Sequence, residues 1–160
     1  MPTKSLEPRL TEDLCKSARE VLESMVFLAP TSVEPLERTD ATFADEVIGL
    51  LSFTGTRSGS FVVRATEALA TKMAANMLMT EPEELGDFDE VADAFGEIVN
   101  MLSGSFKNAW VAEGNQMDLS VPHVVRNGRV NTKSDCDSLR TGIRVQLDDA
   151  FVDIGVYFEA

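Results

Sequence analysis

A row of polar and small residues runs along residues 87–110, spaced alternately by four and three positions. The row consists of Asp93, Glu97, Asn100, Gly104 and Lys107. On a helix, this spacing places two carboxylates, an amide, a bare backbone position and an ammonium group along one side. The amide of Asn100 can both donate and accept hydrogen bonds and does not titrate. Because this side of the helix is polar, it is expected to face either water or a partner.

Two interpretations of this row remain open. It is either the solvated face of an amphipathic helix or a surface selected for use. Asn and Gly in an exposed helix interior each cost about 0.5–1 kcal/mol relative to Ala, and Gly96, Asn100 and Gly104 lie close together here. A cost that packing does not explain favours a functional surface.

Familiar catalytic and metal-binding patterns are absent from the sequence. Asp93 and Glu97 could form a hydrolase carboxylate pair, but an exposed helix face offers no pocket to raise a pKa. His123 is the only histidine and lies beside a proline in a predicted strand, which favours a structural or surface role over that of a general base or ligand. Cys15 and Cys136 lack a CxxC partner, so no zinc site is indicated; Cys15 is predicted in a helix and Cys136 in a loop. The sequence predicts no metal ligands and no small-molecule acid–base enzyme.

The helix that positions the row is predicted from its cap and its apolar periodicity. Asp87 is the predicted N-cap, Glu90 completes a capping box, and Gly114 is the predicted C-terminal stop. The opposite face carries a regular apolar stripe that predicts a buried side. The stripe consists of Val91, Phe95, Ile98, Leu102, Phe106 and Ala109.

Composition limits the remaining classes of function. The chain has 160 residues, predicted to form one domain over residues 1–160, and a formal net charge of −13 without a basic cluster. Nucleic acid is therefore excluded as a partner. We find neither an apolar signal segment nor a run long enough to span a bilayer, so a cytoplasmic protein without a membrane contact is predicted.

The first half of the chain predicts two helices and a hairpin. A helix is expected from Thr11, as cap, to about Leu28, with Pro30 ending it; its apolar stripe is Leu14, Ala18, Val21 and Met25. A short edge strand is predicted near 33–38, where Pro35 prevents a central position. Strands at 46–53 and 60–64 flank the turn sequence TGTRSG, and a helix at 66–79 would bury Leu69, Met73, Met77 and Leu78.

The second half predicts two further hairpins. Alternation over 117–126 meets Asn127 and Gly128, a strong turn signal. Residues 133–138 are predicted as an exposed loop, and strands at 141–147 and 151–158 are predicted to pair around Asp148 and Asp149.

The two long helices resemble each other. REVLESM at 19–25 aligns with GEIVNML at 96–102, an offset of 97 − 20 = 77 that places Glu20 on Glu97 and Glu23 on Asn100. We interpret this as a duplicated unit of a helix followed by strands, although chance similarity between amphipathic helices is the alternative. The predicted fold is α/β of the α+β type: a mostly antiparallel sheet with two long exposed helices, built from that duplicated unit.

The segment DAFGEIVNMLSGSFK, at 93–107, resembles the signature of the CheC/CheX/FliY family of chemotaxis phosphatases. That signature has an acidic or Ser residue, Glu four positions later, Asn three positions after it, and Pro about two dozen residues further on. Asp93, Glu97, Asn100 and Pro122 match these positions. The chain length, the duplication and the single intact motif are similar to the CheX branch.

The resemblance implies hydrolysis of the aspartyl phosphate of a CheY-like response regulator, with Glu97 and Asn100 as the catalytic residues. Asn100 would orient the attacking water and Glu97 would pair with a lysine of the regulator. Supporting contacts are implied for Asp93, Gly96, Gly104 and Lys107. The required Mg²⁺ would belong to the regulator, with no cofactor of this chain's own, and a homodimer is expected. Two alternatives remain: an adaptor that binds a receiver without catalysis, and a structural domain whose polar row has no function.

Overall fold

The computed structural model describes residues 3–36, 42–132 and 139–159. Three α-helices and one short 3-10 turn alternate with seven strands. The helices are α1 (Thr3–Ser24), α2 (Glu67–Met77) and α3 (Phe88–Ala112), and the 3-10 turn is Pro82–Glu84. The strands are β1 (Ser32–Pro35), β2 (Thr42–Gly55), β3 (Gly59–Ala65), β4 (Met117–Leu119), β5 (His123–Asn131), β6 (Arg140–Leu147) and β7 (Ala150–Phe158).

All described strand pairings are antiparallel and form one sheet. Its order is β1-β6-β7-β3-β2, and β4 and β5 both pair with the outer edge of the long β2. The order β1-β6-β7-β3-β2-β5 has an internal symmetry. Reading it backwards and exchanging β1 with β5, β2 with β6 and β3 with β7 gives the same order again. The sheet therefore has the internal twofold pattern of a duplicated unit, and the predicted α/β fold is confirmed.

The main core lies between the sheet and the helices. Alternate residues of the four central strands, including Leu51, Phe61, Ile143 and Ile154, are buried on this face. The predicted stripe of α3 is buried against it, except that Ala109 at its end is only half-buried. The long helices thus bury one side each and leave the other outside, as their periodicity predicts.

Two of the three predicted hairpins form. β2 pairs with β3 across Thr56–Ser58, and β6 pairs with β7 across a turn in which Asp148 has φ +53°. β1 is an edge strand on β6, and Pro35 ends it. Turn residues and alternation act over a few residues, so these pairings are predictable from local sequence.

The predicted limits of the first helix are wrong at both ends. α1 begins at Thr3 and includes Pro8, so Thr11 is not its cap; instead the Thr11 side chain hydrogen-bonds that of Thr141 on β6. The helix ends at Ser24 rather than Leu28, and Met25 is 47% exposed while Leu22 and Val26 are buried. A similar correction applies to α2, which ends at Met77 and leaves Leu78 49% exposed.

The predicted hairpin at Asn127 and Gly128 is also wrong. Both residues lie inside β5, which pairs continuously with β2 except at Asn127, where φ is +50°. The left-handed conformation of Asn127 thus occurs within a strand and not in a turn, because the 14-residue β2 offers a long partner edge. The predicted loop at 133–138, with Cys136, lies outside the described residues, whereas Cys15 lies half-buried in α1 as predicted.

The structure relates the two long helices by a different offset from the predicted 77. They pack antiparallel, and the hydroxyl of Ser105 donates to that of Ser17 at 3.0 Å. Their C-terminal ends, Ser24 and Ala112, give an offset of 112 − 24 = 88, and under this offset Ser17 and Ser105 are equivalent positions. Because 77 and 88 differ by about three helical turns, the apolar phases agree for either value, and phase alone could not distinguish them.

Candidate functional site

The N-terminus of α3 is fixed by side-chain caps. The Asp87 Oδ1 atom accepts a hydrogen bond from the backbone N–H of Glu90 at 3.3 Å. Glu90 in turn accepts from the backbone N–H of Gly86 at 3.0 Å, one residue before the position that an ideal capping box uses. At the other end, Gly114 follows the helix with φ +92°, as predicted for a C-terminal stop.

The depth of α3 on the sheet is set at Gly49 of β2. A Cβ atom at this position would lie 2.5 Å from Val99 and 3.0 Å from Phe95, both on α3. A larger residue would lift the helix away from the sheet. Since Val99 directly precedes Asn100, this close approach also fixes the position of the candidate amide.

The polar row points away from the core as predicted. Asp93 and Glu97 are exposed, and Asn100 is half-buried. The Asn100 amide N–H donates to the Glu97 carboxylate over 3.4 Å, a long and therefore weak hydrogen bond. Both side chains consequently retain hydrogen-bonding capacity for a partner.

A shallow groove of about 270 Å³ lies beside this row. One wall is α3 and the other is the segment that joins β4 to β5. The residues lining it are Ala92, Asp93, Gly96, Glu97, Asn100, Val121, Pro122 and Val124. Folding thus brings Pro122 next to Glu97 and Asn100, although 22 residues separate it from the amide in sequence.

The two candidate glycines have different surroundings. Gly96 is buried, and a Cβ atom there would lie 3.8 Å from both Pro122 and Val124, so this chain's own side chains cover it. A Cβ atom at Gly104 would have no atom within 4 Å beyond its own helix backbone and chain neighbours. Lys107 continues the row beyond Gly104, and neither residue lines the groove. Lys107 has no ion pair among the described residues.

Val121 is a candidate contact residue that the sequence did not reveal. It is 76% exposed at the groove rim, next to Pro122, while the Val residues of the core are buried. Its segment alternates like a strand, and nothing local distinguishes it from a half-buried position. Only the break between β4 and β5 turns this apolar side chain outward.

The groove does not have the features of a metal centre or a conventional hydrolase pocket. Among residues 3–36, 42–132 and 139–159, no three His, Cys, Asp or Glu side chains cluster as metal ligands. His123 is exposed on β5, opposite Leu50 of β2. No helix in these ranges is long and apolar enough to cross a bilayer. An open groove with an amide, carboxylates and an apolar rim is suited to docking another macromolecule.

Residues 47–144 match the family model described as "Chemotaxis phosphatase CheX", which confirms the resemblance drawn from the motif. This match covers more than half of the chain and includes Glu97, Asn100 and Pro122. No curated protein matches the chain.

Solved structures with the same fold cover nearly the whole chain. A CheX chemotaxis protein from Desulfovibrio desulfuricans has a TM-score of 0.81 at 20% identity, covering 94% of this chain and 99% of its own. CheX from Vibrio vulnificus has a TM-score of 0.72 at 26% identity, with 94% and 96% covered. The CheX–CheY–BeF3–Mg²⁺ complex from Borrelia burgdorferi contains a chain with a TM-score of 0.75 at 18% identity, with 93% and 97% covered.

Proposed function

The chain belongs to the chemotaxis phosphatase CheX family, and from that premise we propose that it hydrolyses the aspartyl phosphate of a CheY-like response regulator. The observation that carries the proposal is the groove beside α3, where Glu97, Asn100 and Pro122 meet on an exposed surface. A macromolecular substrate fits this site better than a small one, because the groove is open and lies on a convex helix.

Asn100 would position the attacking water. An acyl phosphate is intrinsically labile, so a catalyst needs mainly to align water and stabilise charge. The amide can accept a hydrogen bond from water through its oxygen and donate through its nitrogen. Its weak 3.4 Å contact to Glu97 can be exchanged for contacts in the complex without a large loss.

Glu97 would fix the docking register through an ion pair with an ammonium group of the regulator. It is exposed, and no cation of the described chain pairs with it. Asp93 extends the same negative edge, Val121 supplies apolar contact area, and Lys107 marks the far end of the row. Complementary charges of this kind set orientation and association rate.

The Mg²⁺ ion in this proposal belongs to the regulator's acidic pocket. The chain itself needs no cofactor. Because its net charge is −13, it is repelled by an acidic pocket and would approach that pocket only through a specific contact. We further propose a cytoplasmic homodimer. The edge of β5 that faces away from β2 has no partner strand in the described part of the chain, and it offers a surface for pairing.

The proposal is tested by following phosphate loss from a phosphorylated receiver domain with and without the protein. We expect the parent protein to accelerate it, and Asn100→Ala to lose about 10²-fold of that acceleration. Asn108→Ala is the matched control, since Asn108 is an exposed amide on the same helix outside the groove.

The competing function, a receiver-binding adaptor, gives a different result in the same experiment. An adaptor would bind a receiver loaded with a phosphoryl mimic but would leave the dephosphorylation rate unchanged. Equal turnover by the parent protein and Asn100→Ala would reject the role of Asn100 and favour the adaptor.

A further inference from the structure

A second exposed surface lies at the C-terminal ends of α1 and α2. Of the seven large apolar side chains that are exposed in the described residues, four follow these two helix ends: Met25, Phe27, Leu78 and Met79. Phe27 and Met79 line one groove of about 500 Å³. Concentrated apolar exposure of this kind marks an interaction site more often than chance.

The backbone at these positions makes the residue types unexpected. Met79 donates from its N–H to Asn76 O at 3.1 Å, and Thr80 donates to Ala75 O at 2.9 Å. This pair of bonds closes a helix around a left-handed residue, which is usually Gly. Met79 has φ +57° and is 84% exposed, so neither backbone preference nor burial explains a methionine there.

Phe27 has the same combination of features. Its φ is also +57°, three residues beyond the end of α1, and its ring is 58% exposed. Two bulky apolar residues are therefore held in unfavourable backbone conformations and point into one groove. A cost to folding that appears twice at one surface favours a binding role.

The charges around the groove define the partner. Its other described lining residues are Asn76, Thr80, Glu81 and Glu84, so its rim carries two exposed carboxylates and no described cation. The C-terminal ends of α1 and α2 add the partial negative charge of their helix dipoles. This surface repels anionic lipids and acidic proteins and attracts a basic ligand.

We propose that this groove binds a short amphipathic helix of a partner protein, with apolar residues on one face and Lys or Arg on its flanks. Helices of this type dock by placing side chains at i, i+3, i+4 and i+7 into apolar grooves. A flexible methionine suits such a contact, because it adapts to the opposing side chains. The groove shares no lining residue with the groove beside α3, so the proposal does not rest on receiver dephosphorylation.

The test uses the full chain and a fluorescent peptide of about 14 residues, built from Leu at helical spacing and Lys elsewhere. Binding is followed by fluorescence anisotropy. The decisive variant is Phe27→Gly with Met79→Gly, which removes both side chains and relieves both backbone conformations. We expect peptide affinity to fall at least about tenfold, while the thermal unfolding midpoint stays equal or rises.

Charge-removing variants distinguish peptide binding at this groove from a general attraction of the basic peptide to an acidic protein. Glu81→Gln with Glu84→Gln should weaken binding and reduce its salt dependence. Asp118→Asn with Asp149→Asn makes the same charge change at exposed positions elsewhere and should retain binding. Asn100→Ala should also bind the peptide normally, which keeps this test independent of the proposed phosphatase site.

Several results would overturn the proposal. Absence of peptide binding to the parent chain, or unchanged binding by the double glycine variant, would show that the groove is not the site. A lowered unfolding midpoint in that variant would assign Phe27 and Met79 to folding. If the parent chain self-associates in sedimentation and the variant does not, the occupant is a second copy of this chain instead.

Discussion

α1 and α3 lie side by side on the same sheet, and they use their polar faces differently. Under the structural offset of 88, Arg9 and Glu12 of α1 correspond to Glu97 and Asn100 of α3. Arg9 forms an ion pair of 2.6 Å with Glu113 at the end of α3, and Glu12 lies 3.6 Å from Lys16. Arg9 and Glu12 are thus paired within the chain, whereas the side chains of Glu97 and Asn100 share only one weak hydrogen bond.

For either offset, the composition of the two helices also distinguishes α1 from α3. α1 contains no Asn or Gln, so no residue of it can supply an amide. Glu23, the sequence-based counterpart of Asn100, stands one residue before the end of α1. A carboxylate there cannot donate a hydrogen bond and would repel a phosphoryl group. Both helices therefore have the same packing role, while only α3 also carries the amide that we propose for catalysis.

The largest expected effect is the contrast between two double variants. Glu97→Ala with Asn100→Ala should leave no detectable acceleration of receiver dephosphorylation, because both candidate groups are lost. Glu20→Ala with Glu23→Ala should keep activity within about twofold and change stability little, as exposed substitutions do. The measurement is phosphate loss at matched folding, checked by circular dichroism. Comparable losses would mean that both helices carry sites.

A smaller effect is expected from Glu97→Ala alone on complex formation. If Glu97 pairs with an ammonium group of the regulator, its loss should weaken binding of a phosphoryl-mimic-loaded receiver about tenfold. Calorimetric titration measures this, with Glu20→Ala on α1 as the control for removing one exposed carboxylate. Parent-like affinity in Glu97→Ala would rule out the ion pair.

Much of this comparison could be predicted from sequence because it depends on local periodicity. The repeat of Val91, Phe95, Ile98 and Leu102 fixes the buried side of α3, and the polar row then follows on the other side. The hairpins β2–β3 and β6–β7 are local for the same reason. The family signature added Pro122 to the site, which no periodicity within α3 could indicate.

What could not be predicted depends on contacts between distant segments. Pairing of β5 with β2 overrode the turn preference of Asn127 and Gly128. The sequence around these two residues does not indicate that β2 will be their partner strand. The covering of Gly96 by Pro122 and Val124, and the exposure of Val121, follow from the same pairing. These features need the assembled sheet.

An intermediate effect is expected from Gly104→Ala, which can change the free energy of unfolding and the receiver affinity in opposite directions. A methyl group there meets nothing within 4 Å, and Ala is favoured over Gly in a helix by up to about 1 kcal/mol. Gly104→Ala should therefore raise the free energy of unfolding. If the partner's backbone approaches this position, the same change should weaken receiver binding. Denaturant unfolding and calorimetry measure the two effects. Higher stability with unchanged affinity would place Gly104 outside the interface.

The smallest effect concerns Asp13, where α1 packs near the end of α3. Burial, and then repulsion from Glu113, raise the pKa of the Asp13 carboxyl above its ordinary value of 3.8. The folded state therefore binds this proton more tightly than the unfolded state, and the group lowers stability as pH rises through the folded pKa. Well below pH 3.8 the effect disappears, because both states are then protonated. Asp13→Asn should thus raise the free energy of unfolding at pH 7 and leave it unchanged at low pH. Denaturant unfolding across that range measures the difference, with Glu20→Gln as the control on the exposed side of α1. A gain that is equal at every pH would assign the effect to packing or helix propensity instead of charge. Receiver dephosphorylation should not change, since Asp13 lies on α1 and does not line the groove beside α3.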